Sequence, residues 1–158
     1  MYENLKKKFG QNFLIDKNIL RKISNLIPQE NLIIIEIGPG DGRLTEGIIK
    51  KKPKKLMLIE KDKDLMDILN EKFSRFKNVK ILNSDFLKIK IESKCQLIIS
   101  NLPYNISSQV IAKISLLKNP PDLLILMFQK EFAKRLTDHK INSINSLVNC
   151  FYKINSKF

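Results

Sequence analysis

Short apolar runs alternate with helical patterns along this chain, and the first run constrains the fold most. Leu32 to Ile37 is apolar but for Glu36 and runs straight into Gly38-Pro39-Gly40-Asp41-Gly42. A run of this kind, closed by glycines, reads as a buried strand of a parallel sheet. Glycines at its end let the backbone turn tightly and approach a ligand closely. Lys55 to Glu60, Val79 to Leu82, Gln96 to Ser100 and Asp122 to Gln129 read as further strands, and Ser146 to Ile154 as a sixth. Between them lie helical patterns. Asp16 caps a helix whose apolar face is Ile19, Leu20, Ile23, Leu26 and Ile27, ended by Pro28. Helices follow from about Arg43 to Lys51, stopped by Pro53, and from Lys63 to Phe73. Ile106, Val110, Ile111, Ile114 and Leu117 make another helical stripe, and Glu131 to Leu136 a short helix. Strict alternation of this kind predicts an α/β fold, an open and mostly parallel sheet with helices on both faces. With 158 residues the chain holds one domain with a sizeable core.

Composition excludes several functions. No apolar run is long enough to span a bilayer, and the amino terminus has no apolar stretch after Lys6-Lys7-Lys8, so a cytoplasmic protein is expected. Cys95 and Cys150 both lie in or beside apolar strand patterns and read as buried, unpaired thiols. With His139 the single histidine, neither a metal site nor a Ser/His/Asp triad is expected. The net charge of +13 favours a polyanionic partner, because lysines that neutralise phosphates release counterions. The over-use of Lys, Ile and Asn by an A/T-rich genome would raise the charge as well.

Four strand-end constellations carry the chemistry. The glycine loop is a GxGxG without the third spacing of the usual dinucleotide fingerprint. Glu60 ends the second strand about twenty residues after the glycines, where an acid accepts hydrogen bonds from ribose hydroxyls and repels a 2′-phosphate. A surface carboxylate flanked by Lys61 and Lys63 is the competing reading. Ser84-Asp85-Phe86 follows the third strand. Asp85 can accept from the exocyclic amine of an adenine while Phe86 packs on its ring, although a plain turn aspartate fits equally. Asn101-Leu102-Pro103-Tyr104 follows the fourth strand. Asn101 brings an acceptor, Pro103 leaves nearby carbonyls free, and Tyr104 offers a stacking face. Together they suit a flat molecule bearing an amino group.

At these positions the chain resembles the S-adenosylmethionine-dependent rRNA adenine N6,N6-dimethyltransferases, from about Lys7 to Tyr152. Lys8-Phe9-Gly10-Gln11-Asn12-Phe13-Leu14-Ile15-Asp16 and Met127 to Leu136 are similar to two further signatures of that family. Asn101-Leu102-Pro103-Tyr104-Asn105-Ile106-Ser107 looks like its small-subunit, KsgA-type branch. The resemblance implies a Rossmann-like fold, with S-adenosyl-L-methionine as cofactor and small-subunit ribosomal RNA as partner. It implies that Asn12, Leu14, Gly38 and Gly40 contact the cofactor. Glu60 would hold its ribose, Asp85 and Phe86 its adenine, and Asn101 would lie between cofactor and target base. Asn101, Leu102, Pro103 and Tyr104 would form the catalytic motif, with no metal.

The family continues past the point where this chain stops. It adds a seventh, antiparallel strand beside the fifth, a second base-stacking aromatic and a small helical domain. Residues 1–158 are therefore read as one methyltransferase domain, incomplete at its carboxyl end, monomeric, and inactive on rRNA by itself. Two alternatives stand beside this reading. One is a large-subunit adenine methyltransferase of the macrolide-resistance type. The other is a non-catalytic RNA-binding assembly factor on the same fold.

Overall fold

The computed structural model describes residues 14–28, 31–91 and 94–137, together with Ile144, Val148 and Tyr152. Among the described residues five strands form a single sheet: β1 (Ile33–Ile37), β2 (Lys55–Glu60), β3 (Val79–Asn83), β4 (Leu97–Asn101) and β5 (Leu123–Met127). Their order is β3-β2-β1-β4-β5 and every pairing is parallel. The helices are α1 (Lys17–Asn25), α2 (Arg43–Ile49), α3 (Met66–Phe73), α4 (Ser107–Ser115) and α5 (Lys130–Thr137). Single 3-10 turns precede α3 and α4.

Alternation along β1 shows how the sheet is covered on both sides. Ile34 joins the cluster built with α1, α2 and α3, through Ile23, Leu44, Ile48, Leu69 and Phe73. Ile35 and Ile37 join the opposite cluster, where Val110 and Ile114 of α4 pack. Leu58, Leu97, Ile98 and Ile99 are 0% exposed, as central strands sandwiched between helix layers should be. Each such side chain contributes about 1.5–3 kcal/mol of burial. Among the described residues no helix is long and apolar enough to cross a membrane.

Local signals act as the sequence predicts. Asp16 accepts from the Asn18 and Ile19 N–H groups and starts α1. Lys52, at a φ of 51°, turns the chain out of α2 ahead of Pro53. Cys95 is a buried free thiol, pushed up to about 11 by burial. Cys150 and His139 lie outside the described residues.

Two expectations need correction. Ile19 and Leu26 were expected on the apolar face of α1, but they are 41% and 48% exposed. Helix α1 turns Leu20, Ile23 and Ser24 inward, with Ile27 buried just beyond its end, and leaves Ile19 and Leu26 largely in solvent. The sixth strand expected over Ser146 to Ile154 is not a strand where the structure describes it. Val148 is helical, and the Tyr152 N–H donates to the Val148 carbonyl four residues back, at 2.9 Å. Ile144, Val148 and Tyr152 recur every four residues and pack with Ile111, Leu126 and Leu136. That period is helical and outweighs the short apolar run that suggested a strand.

The α1–α2 crossing depends on Gly47. A Cβ there would collide with the hydroxyl of Ser24, which itself donates to the Leu20 carbonyl at 2.8 Å. Gly47→Ala is therefore expected to destabilise by about 1–3 kcal/mol through overpacking, although alanine favours the isolated helix by about 1 kcal/mol. Denaturant unfolding checks this, and a stabilised variant would show that the crossing relaxes freely.

Candidate active site

The carboxyl ends of β1 to β4 surround one cavity of about 290 Å³. Strand order reverses between β1 and β4, and ligands of open α/β sheets bind in the crevice at such a reversal.

The loop after β1 forms its floor. Gly38, Gly40 and Gly42 have φ values of 64°, 61° and 85°, in the left-handed region that other residues avoid. At Gly38 an added Cβ would meet nothing within 4 Å, so the backbone angle, not crowding, requires glycine. At Gly42 a Cβ would also strike the Phe73 ring. The Gly38 N–H donates to the Ile59 carbonyl at 2.9 Å, and the Gly40 N–H donates to Glu60 Oε2 at 3.0 Å. Arg43 pairs with Asp41 at 2.9 Å and Lys72 donates to the Asp41 carbonyl at 2.8 Å, clamping the loop from outside.

Glu60 sits at the tip of β2, 3% exposed. Its second oxygen accepts the Asp62 N–H at 2.8 Å. The Lys61 N–H adds a third backbone donor to this carboxylate, whose two oxygens together accept about four bonds. Burial raises its pKa, and the Asp62 and Gly40 N–H groups partly oppose that rise. Glu60 thus braces the glycine loop, a role the sequence reading did not assign to it.

Asp85 follows β3. Its Oδ1 accepts the Leu87 N–H at 2.9 Å and its Oδ2 pairs with Lys61 Nζ at 3.0 Å. Burial works to raise its pKa. The Lys61 hydrogen bond, the Leu87 N–H and the charges of Lys61 and Lys88 outweigh that effect and hold the carboxyl below its ordinary value. Phe86, 4% exposed, lines the cavity while most of its ring belongs to the core against Leu102, Val110 and Ile114.

Asn101, Leu102 and Pro103 close the side at β4, and Leu14 with Leu20 forms an apolar wall. Tyr104 begins the 3-10 turn Tyr104–Ile106 that leads into α4. The side chain of Tyr104 and the whole of Asn12 lie outside the described residues. Of the expected site residues, Leu14, Gly38, Gly40, Glu60, Asp85, Phe86, Asn101, Leu102 and Pro103 all border this one cavity.

Glu36 and Lys61 border it too, and neither was given a role from sequence. Glu36 is 1% exposed and accepts the Thr45 hydroxyl at 2.7 Å. Burial pushes its pKa up to about 8, the Thr45 bond opposes the rise, and the neighbouring charge of Glu60 adds to it. The available signal was a single acid inside an apolar strand, two residues before the glycines.

Comparison with known proteins settles the family. Residues 2–154 match the family model described as ribosomal RNA adenine dimethylase. The chain belongs to the ribosomal RNA adenine dimethylase family. Among its dimethylase-family relatives is the ribosomal RNA small subunit methyltransferase A of Pelagibacter ubique. The two are 45% identical over 149 residues, which cover 90% of this chain and 56% of that protein. The protein of the same name from Borreliella burgdorferi is 46% identical over 144 residues, 89% of this chain and 50% of its own. The chain thus spans about half the length of the curated relatives it matches. Among solved structures, a dimethyladenosine transferase from Plasmodium falciparum aligns with a TM-score of 0.71 and 30% identity, over 81% of this chain and 47% of the other. The 23S rRNA methyltransferase ErmE aligns with a TM-score of 0.70 and 26% identity, over 81% and 52%. The fold is the Rossmann-like fold of S-adenosylmethionine-dependent methyltransferases, as expected.

Proposed function

We propose that these residues form the cofactor-binding and catalytic part of an S-adenosylmethionine-dependent enzyme that dimethylates adenine N6 in small-subunit ribosomal RNA. The observation that carries this reading is the meeting of the Gly38 loop, Glu60, Asp85 and the Asn101-Leu102-Pro103 turn at one cavity. The lining fits the cofactor. Space above Gly38 admits close approach, Glu60 retains acceptor capacity for a ribose hydroxyl, and Asp85 borders the cavity with a carboxylate of the kind an adenine amine donates to. The Glu60 carboxylate at the cavity disfavours a 2′-phosphate on that ribose.

When bound, the cofactor supplies a methyl group activated by its sulfonium. The chain's part is alignment and charge stabilisation. Adenine N6 is a weak nucleophile because its lone pair is shared with the ring. Acceptors facing its hydrogens steer that lone pair outward and stabilise positive charge forming on nitrogen. The Asn101 side chain is one acceptor. The Pro103 carbonyl already accepts the Ile106 N–H at 3.3 Å and the Ser107 hydroxyl at 3.2 Å, which favours Leu102 as the second acceptor. From its place in the motif, Tyr104 is assigned the stacking face for a base displaced from its helix.

Relatives of 45% and 46% identity named for the small subunit, against 26% for the 23S rRNA methyltransferase ErmE, support the small-subunit target. The reading places the protein in the cytoplasm, on ribosomal RNA, as a monomer. Labelled-methyl transfer to small-subunit rRNA by the protein carrying these residues tests the activity, and absence of transfer overturns it. Glu60→Ala is expected to weaken S-adenosylhomocysteine binding by roughly 1.5–3 kcal/mol. Unchanged affinity in calorimetry would remove Glu60 from the site.

A further inference from the structure

Asp85 and Phe86 stand on a segment with no regular structure, between the end of β3 and residue 91. The segment turns tightly. The Lys88 and Ile89 N–H groups both donate back to the Asp85 carbonyl, at 2.9 and 3.3 Å. The carbonyls of Phe86 and Ile89 are left pointing out of the turn, and one side chain takes both. Lys113, half-buried on α4, donates from Nζ to Phe86 at 2.6 Å and to Ile89 at 2.5 Å. Its ammonium also lies 5.1 Å from the centroid of the Phe86 ring. A lysine ammonium is suited to this task, since it is compact and carries three donors that can diverge to two carbonyls and a ring face. The contact spans 27 and 24 residues of sequence, and it fastens the turn to the helix that begins directly after the Asn101–Tyr104 motif. Burial lowers the pKa of Lys113, and the charge of Asp85 opposes that fall.

We propose that Lys113 is a positioning residue for adenine selectivity: by holding the Phe86 and Ile89 carbonyls it fixes the turn that presents the Asp85 carboxylate to the cofactor's exocyclic amine. The inference rests on the reading of Asp85 given above. Asp85 is then aimed from three sides. The Leu87 N–H and Lys61 orient the carboxylate itself, and Lys113 anchors the backbone that bears it. Without the ammonium, the two carbonyls lose their partner and turn toward water. The carboxylate moves with them, and an adenine amine gains little over the ring carbonyl of a hypoxanthine.

The test is calorimetric affinity for S-adenosylhomocysteine and for its hypoxanthine counterpart, S-inosylhomocysteine. The wild-type protein, Lys113→Met and Asp85→Ala are compared. Wild type is expected to prefer adenine by about 10–100-fold, the scale of one hydrogen bond to a charged acceptor. Lys113→Met is expected to cut that preference at least fivefold while changing affinity for the hypoxanthine ligand less than threefold. General destabilisation would weaken both ligands alike and leave their ratio unmoved. A wild-type ratio in Lys113→Met overturns the proposal. If that variant does not fold, Lys113→Gln, too short to reach both carbonyls, carries the same comparison, and a wild-type ratio there overturns it equally. A wild-type ratio in Asp85→Ala would instead sink the assignment of Asp85, which separates the two failures.

Discussion

Asn101→Ala is expected to slow methyl transfer to small-subunit rRNA by about 10²–10³-fold, the loss typical of removing one preorganised group that stabilises developing charge. Asn101 ends β4, between the cavity floor and the turn into α4, so its side chain is placed by the sheet and not by a mobile loop. The amide oxygen would meet an amine that becomes more positive as the reaction proceeds. Its contribution therefore grows toward the transition state, and the loss should fall on the chemical step more than on cofactor affinity. Single-turnover rates with saturating cofactor check this. A rate within threefold of wild type would mean that the amine is activated elsewhere.

The second large effect is on stability. Glu36 has a folded-state pKa near 8, against an ordinary value of 4.5. The folded protein holds this proton more tightly than the unfolded chain does. The associated stability is fully present below about pH 4.5 and drains away as pH rises toward 8, after which it is gone. At about 1.36 kcal/mol per pH unit the upper bound is about 5 kcal/mol. Glu36→Gln keeps the shape and an acceptor for Thr45 but cannot ionise. It is expected to be more stable than wild type at pH 8.5, by up to that amount, and nearly equal at pH 5. Glu60, also raised, leaves a smaller slope of the same sign in the variant. Denaturant unfolding at both pH values decides the matter, and parallel profiles for the two proteins would show that Glu36 is ionised throughout.

The sheet was legible because each of its strands is a short apolar run with punctuation at its ends. The pattern runs Ile33–Ile37 into glycines, Lys55–Glu60 after Pro53, and Leu97–Asn101 into Pro103. At Val148 the strand expectation fails for a physical reason. Short apolar stretches such as Leu147-Val148 and Cys150-Phe151-Tyr152 suit a strand and a helix equally, whereas Ile144, Val148 and Tyr152 share the four-residue spacing of a helix. In the site, Gly38, Glu60, Asp85 and Asn101 could be found because each sits at a strand end and topology alone brings strand ends together. Their supporting groups could not be found this way. Thr45 against Glu36, Lys61 against Asp85 and Lys113 against the Phe86 turn are contacts between different elements, set by side-chain reach after the layers have packed.

The bond from Gly40 to Glu60 has a consequence for how a ligand enters. The floor of the cavity is braced by Glu60, so the most permissive stretch of backbone is fixed by the fold itself. Ordering a residue costs about 1–2 kcal/mol, and here folding has met that cost instead of binding. On the proposed reading, a ribose would exchange solvent for its hydroxyl groups at a carboxylate already held in place. The encounter is between a ligand and a mould that has set.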